Sequence, residues 1–195
     1  MSCLICERIQ MIKEGKNPYF VCELETGYVV LGDHQRFKGY TLFLCKQHST
    51  ELHLLESSFK MKYLEEMALV AEAVFNVYKP NKMNYELLGN GDSHIHWHLF
   101  PRYDGDLGDY GNNGRGPVWW LPKEEMWNNE YKLNNDELVF KTAELRKEIE
   151  RLMNAWILIC RTLVGVCKTP LGYADLVQGY AIVLKLRIVA IRMCL

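Results

Sequence analysis

His94-Ile95-His96-Trp97-His98-Leu99-Phe100 alternates histidine with apolar residues and stops at Pro101-Arg102. Alternation of this kind marks a half-buried strand, in which successive side chains point to opposite faces. Ile95, Trp97 and Leu99 then share a core-facing side, while His94, His96 and His98 share the other. Half of the chain's six histidines stand in that row. A single histidine on a strand face is an ordinary polar residue. Three in register ask for chemistry.

Geometry limits what the row can do. Residues two apart on a strand face are separated by roughly 6.6 Å, so the outer pair lies about 13 Å apart at the backbone. Three such histidines do not easily close on one metal ion, although a neighbouring pair can share one. Divided labour suits the row better: one end in a metal site, the middle as nucleophile, the far end holding an anion. Neutral imidazole, with an ordinary pKa of about 6.5, offers a nitrogen lone pair for such work at neutral pH.

Upstream, Met83 to Leu88 reads as a strand, and Gly89-Asn90-Gly91-Asp92 as a tight turn that makes it an antiparallel hairpin with the histidine strand. Ser57 to Tyr78 is the longest helical pattern. Phe59, Tyr63, Met67, Val70, Val74 and Val77 recur at the spacing of a buried face, with Lys60, Lys62, Glu65, Glu66 and Glu72 elsewhere on the helix. Before it come strands at Phe20 to Leu24, Tyr28 to Leu31 and Tyr40 to Cys45. His48 follows where the last of these hands over to the helix. A short helix ends near Gly15. It is preceded by Cys3-x-x-Cys6, a spacing that lets two thiolates reach one tetrahedral ion, the first half of many zinc sites. No strand precedes this pair to make it a redox motif.

After Arg102 runs a polar, glycine-rich loop, Asp104 to Gly116, then Pro117-Val118-Trp119-Trp120-Leu121-Pro122. Loops of that length serve as lids, as specificity elements or as plain surface excursions. A last helix is expected from Glu137 to about Met153, capped by Asp136 or an adjacent asparagine.

The composition, 49% hydrophobic and 24% charged over 195 residues, is that of a globular domain. A net charge of −1 gives no general attraction to a nucleic-acid polymer or an anionic membrane, so any phosphate binding must be local. The N-terminus lacks the basic and apolar regions of a signal peptide. Seven irregularly spaced cysteines fit a reducing cytoplasm rather than a disulfide scaffold. At residue 154 the character changes. From there to Leu195, Asp175 is the lone acidic residue against Arg161, Lys168, Lys185, Arg187 and Arg192. The expected division is therefore a domain over residues 1–153 and an apolar, basic tail over 154–195, too interrupted for a membrane span. Packing on the domain, binding a partner and a reading-frame change are the three readings of the tail.

His94-x-His96-x-His98, with apolar residues between, resembles the motif that names the histidine triad (HIT) family. Gly39-Tyr40-Thr41-Leu42 through His48, and Asn84 to Asn90, are similar to the same family's core. The resemblance covers roughly residues 1–153. Its Pro101-Arg102 is closer to the bacterial HIT and diadenosine polyphosphate hydrolase-like branch than to the branch with glycines there. Tyr40 stands where some members carry a further histidine.

The resemblance implies an α+β fold, with a mainly antiparallel five-stranded sheet, a long helix and a C-terminal helix. It also implies a homodimer that binds nucleotides and splits a bond at the α-phosphate. His96 would be the nucleophile that forms a nucleotidyl-histidine. His98 would assist at the phosphoryl oxygens, with Asn90 as a second phosphate contact. Zinc-bearing members imply a structural ion held by Cys3, Cys6, His48 and His94. The reading that follows is hydrolysis of a dinucleoside polyphosphate or nucleoside phosphoramidate. Transfer of the nucleotidyl group to phosphate or a sugar phosphate, nucleotide binding without turnover, and a metalloenzyme built on the triad are the alternatives.

Overall fold

Five short runs of aromatic and branched residues pair into a single sheet: β1 (Phe20–Glu23), β2 (Gly27–Leu31), β3 (Thr41–Cys45), β4 (Lys82–Glu86) and β5 (His96–Arg102). Their order is β1-β2-β3-β5-β4, and every neighbouring pair is antiparallel. The computed structural model describes residues 3–166, with side chains to residue 155. Four helices accompany the sheet: α1 (Leu4–Lys13), α2 (Ser57–Tyr78), α3 (Lys123–Met126) and α4 (Asn135–Val166). This is the α+β architecture that the resemblance implies.

Register sorts the side chains into two faces. Leu42 lies opposite His98 and Leu44 opposite His96, so these four share one face with Phe100, Tyr28 and Val30. Phe43, Trp97 and Leu99 share the other. That second face receives α2, whose Tyr63 ring stacks on Phe43 at 4.9 Å and donates its hydroxyl to the Phe43 carbonyl at 3.0 Å. Among the described residues, the histidine face is covered at its two ends. Ile5, Ile9 and Ile12 of α1 pack on Tyr28, Val30 and Leu44. At the opposite end Leu107, Val118, Leu121 and Met126 pack with Phe37, Tyr40 and Phe100. His96 and His98 lie between these two clusters.

Turns follow from local chemistry. Gly15, at φ +68°, ends α1 as expected. Gly39, at φ +90°, brings the chain against Tyr78, whose ring would lie 2.5 Å from any Cβ. The hairpin of β4 and β5 is present but its turn is not tight. The connection runs from residue 87 to 95, and β5 starts at His96, so His94 lies ahead of the strand and not within its row. α4 also outruns its expected end at Met153 and continues to Val166, because no proline interrupts that stretch. Its cap is Asn134, whose side chain accepts from the Glu137 amide at 2.9 Å while Glu137 accepts from the Asn134 amide at 3.0 Å.

Met1–Glu150 forms one compact unit. The basic stretch from Ile182 onward, and all of the tail beyond residue 166, lies outside the described residues. Among the described residues no helix is long and apolar enough to cross a membrane.

Candidate active site and metal centre

Two groups of side chains meet at the start of β5. The first gathers Cys3 and Cys6 from the N-terminus, His48 from the segment after β3, and His94 from the turn into β5. The ligand atoms of the four all lie within 4.8 Å of one another. Cys3 Sγ is 3.6 Å from His94 Nδ1, and Cys6 Sγ is 3.4 Å from His94 Nδ1 and 3.3 Å from His48 Nδ1. A tetrahedral ion with bonds of about 2.0–2.3 Å spaces its ligands at roughly 3.3–3.8 Å, so these three separations fit one.

The orientation of His94 fits as well. It is 1% exposed, and its Nε2 lies 2.8 Å from the Cys45 carbonyl. A carbonyl only accepts, so Nε2 carries the proton and donates it, and the Nδ1 lone pair faces the cysteines. Burial holds the His94 imidazolium below its ordinary pKa, which favours the neutral ring that a metal requires. Displacement of His94 from the strand row is what lets it turn toward Cys3 and Cys6.

The second group is His96 with His98, their ring centroids 4.7 Å apart. His96 is 6% exposed, and its Nδ1 lies 2.6 Å from the carbonyl of His94. By the same argument the neutral ring donates from Nδ1 and keeps its lone pair on Nε2. His98 Nδ1 lies 2.6 Å from the hydroxyl of Tyr40. Burial foremost, then His96, pushes the His98 pKa down to about 3, so the ring is neutral over the ordinary pH range. Burial pushes the Tyr40 phenol up, keeping its proton on. A Tyr40 hydroxyl that donates to Nδ1 leaves the His98 proton on Nε2, available to a phosphoryl oxygen.

Tyr40 and Trp119 escaped the site read from the sequence. Tyr40 marked only a missing histidine there, yet its hydroxyl is the partner of His98. Trp119, from the segment after β5, sets its ring edge-on to His98 at 6.0 Å and donates Nε1–H to Glu86 at 2.5 Å. Its neighbourhood in the tryptophan pair was the one available signal. Asn90 is exposed on the turn before His94. It lines, with Ser93, Ile95 and His96, a cleft of about 450 Å³. Arg102 is occupied elsewhere: it makes paired bonds of 2.7 Å to both carboxylate oxygens of Asp106 and a third to the Gly116 carbonyl, holding the loop after β5.

A five-stranded antiparallel sheet with histidines at the start of a central strand defines a class of α+β folds. Residues 15–105 match the family model of the HIT domain. The fold is similar to a histidine triad protein of Bradyrhizobium japonicum, at 20% identity and TM-score 0.55, with 71% of this chain and 93% of that one covered. It is similar to a histidine triad (HIT) protein of Sinorhizobium meliloti 1021 at 21% and 0.56, covering 69% and 93%. A Zn-bound histidine triad family protein of Mycobacterium smegmatis is similar at 21% and 0.52, covering 80% and 98%. A comparison with proteins of curated function found no match.

Proposed function

We propose that this protein is a nucleotide hydrolase of the diadenosine polyphosphate hydrolase-like HIT branch, acting through His96 on a domain of residues 1–153. One observation carries the reading: the His94 carbonyl fixes the proton of His96, a residue at the cleft, on Nδ1 and leaves the lone pair on Nε2. Nε2 attacks the α-phosphorus. A P–N bond forms as the P–O or P–N bond to the leaving group breaks, and the leaving group takes the electron pair. Water then attacks phosphorus, the P–N bond breaks, and His96 is restored. Splitting one displacement into two lowers each barrier. His98, neutral and with a proton to offer, donates to the phosphoryl oxygens as charge develops there, and Asn90 supplies a second contact.

Cys3, Cys6, His48 and His94 are, in this proposal, the ligands of a structural zinc ion. The Zn-bound fold relative from Mycobacterium smegmatis supports the choice of metal. The ion would cross-link the N-terminal segment to the turn ahead of His96. Four protein ligands leave no position for water, so catalysis falls to the histidines. The working state is taken to be a homodimer, which sedimentation tests.

Chromatographic product analysis tests the reaction. Wild type and His96→Ala are incubated with diadenosine tri- and tetraphosphate, an AMP-lysine phosphoramidate and an adenylyl sulfate. Release of AMP by the wild type that falls more than about a thousandfold in His96→Ala is the expected result. A nucleoside diphosphate or nucleotide sugar formed when phosphate or a sugar phosphate is supplied would assign transfer instead. Nucleotide binding without any product would assign a binding protein.

A further inference from the structure

β4 ends at Glu86, opposite His98, so β5 has no β4 partner alongside His96. The cleft of about 450 Å³ opens at that uncovered edge. His96, Asn90 and Ser93 line one side. Lys60 of α2 and His53, from the helical turn Leu52–Leu54, line it too. Lys60 forms no ion pair among the described residues, although the α2 surface offers carboxylates to other lysines, as Glu65 does to Lys62. The nearby Glu56 spends its carboxylate on the Ser58 and Phe59 amides that begin α2, so the helix end is already capped. Glu51 is the carboxylate that lines the cleft, and it is exposed.

Three arginines, by contrast, are committed. Arg102 is bound to Asp106, Arg8 to Asp33 at 2.8 Å, and Arg36 to the Asp106 carbonyl at 2.9 Å. An uncommitted ammonium therefore shares a cleft with the nucleophile, in a protein whose net charge of −1 offers anions no general attraction.

We infer that Lys60 and His53 form an anion subsite that receives the phosphate chain of the leaving group, beyond the α-phosphorus. The inference rests on His96 as the nucleophile. When the P–O bond breaks, the departing phosphate oxygen takes the electron pair, and negative charge grows on the chain that leaves. An ammonium and a ring N–H lining the same cleft stabilise that charge more than they stabilise the bound substrate, where it is shared with the α-phosphoryl group. A leaving amine carries no such chain and draws nothing comparable from the subsite. Lys60 thus sets preference for phosphoanhydrides over phosphoramidates.

The test compares kcat/KM on diadenosine tetraphosphate and on an AMP-lysine phosphoramidate for wild type, Lys60→Ala, Lys60→Arg and His53→Ala. In Lys60→Ala the ratio of the two values is expected to fall at least about tenfold toward the phosphoramidate, and Lys60→Arg to recover part of it. Calorimetry with inorganic pyrophosphate supplies a second readout, in which Lys60→Ala weakens binding at least about fivefold. A ratio unchanged in Lys60→Ala, or pyrophosphate binding equal in the two proteins, overturns the subsite. Failure of the wild type to cleave either substrate would overturn the nucleophile reading instead, and the pyrophosphate comparison would still decide the subsite.

Discussion

The His98 imidazolium, pushed down to about 3 by burial and by His96, titrates far below the value of about 6.5 that an unfolded histidine shows. Between those values the unfolded chain binds a proton that the native protein refuses. The stability contributed by a neutral His98 is therefore full above about pH 6.5 and drains away as the pH falls toward 3. Urea unfolding between pH 7.5 and 4 is expected to show a slope steeper than that of His98→Gln by up to about 1.4 kcal/mol per pH unit. Equal slopes in the two proteins would rule His98 out as the source. Tyr40→Phe deletes the hydroxyl that orients the same ring. It is predicted to lower kcat by about tenfold or more, with the double variant Tyr40→Phe, His98→Gln no worse than His98→Gln alone. Independent, additive losses would show that Tyr40 acts elsewhere. The three histidines were legible because their alternation is a property of residue types. Their partners were not: Tyr40 stands 58 positions before His98, and the group that fixes His96 is a backbone carbonyl that no side chain announces.

Among the elements, long periodic segments were readable and their joints were not. The expected Ser57 to Tyr78 helix is α2 to the residue, since six apolar positions fix its phase. Glu66, however, was placed with the outward residues of that helix and is buried. Its carboxylate accepts from the Glu25 amide at 3.0 Å, the Thr26 amide at 2.9 Å and the Thr26 hydroxyl at 2.5 Å, closing the turn between β1 and β2. Periodicity assigns a side chain to a face but does not reveal a distant turn whose amides need an acceptor. Glu66→Ala leaves those donors without one and is expected to cost about 2–4 kcal/mol in urea unfolding. The loop after β5 follows the same logic. Arg102 looked like a mark of family branch, and its job in the fold is to grip Asp106 in a pair with both side chains largely buried. Asp106→Ala strands a buried guanidinium and is predicted to destabilise the protein by roughly 3–5 kcal/mol. It should also raise hydrogen exchange over residues 104–121 ahead of the sheet.

At the scale of the molecule, the N-terminal helix is joined to the sheet and the turn ahead of β5 in two ways. Ile5, Ile9 and Ile12 bury one face of α1 on β2 and β3, while Cys3 and Cys6 reach His48 and His94 just ahead of β5. The resemblance suggested the second joint, but the convergence of ligands separated by as many as 91 positions needed the fold to bring them together. The two joints respond differently to conditions. The apolar one is indifferent to protons, whereas burial and the adjacent Cys3 hold the Cys6 thiol above its ordinary pKa, so loading a metal must expel protons and tightens as the pH rises. Protein prepared with zinc is predicted to hold one ion per chain. His96→Ala and His98→Ala should retain it, and Cys6→Ser or His48→Ala should lose it. Chelation is expected to lower Tm by roughly 10 °C or more, with exchange rising first in α1 and in the turn around His94. Because that turn also carries the carbonyl that fixes His96, chelation should reduce kcat well below the unfolding temperature. A chelated protein that kept full turnover and the same exchange in α1 would show that the cluster holds neither the N-terminus nor the nucleophile in place.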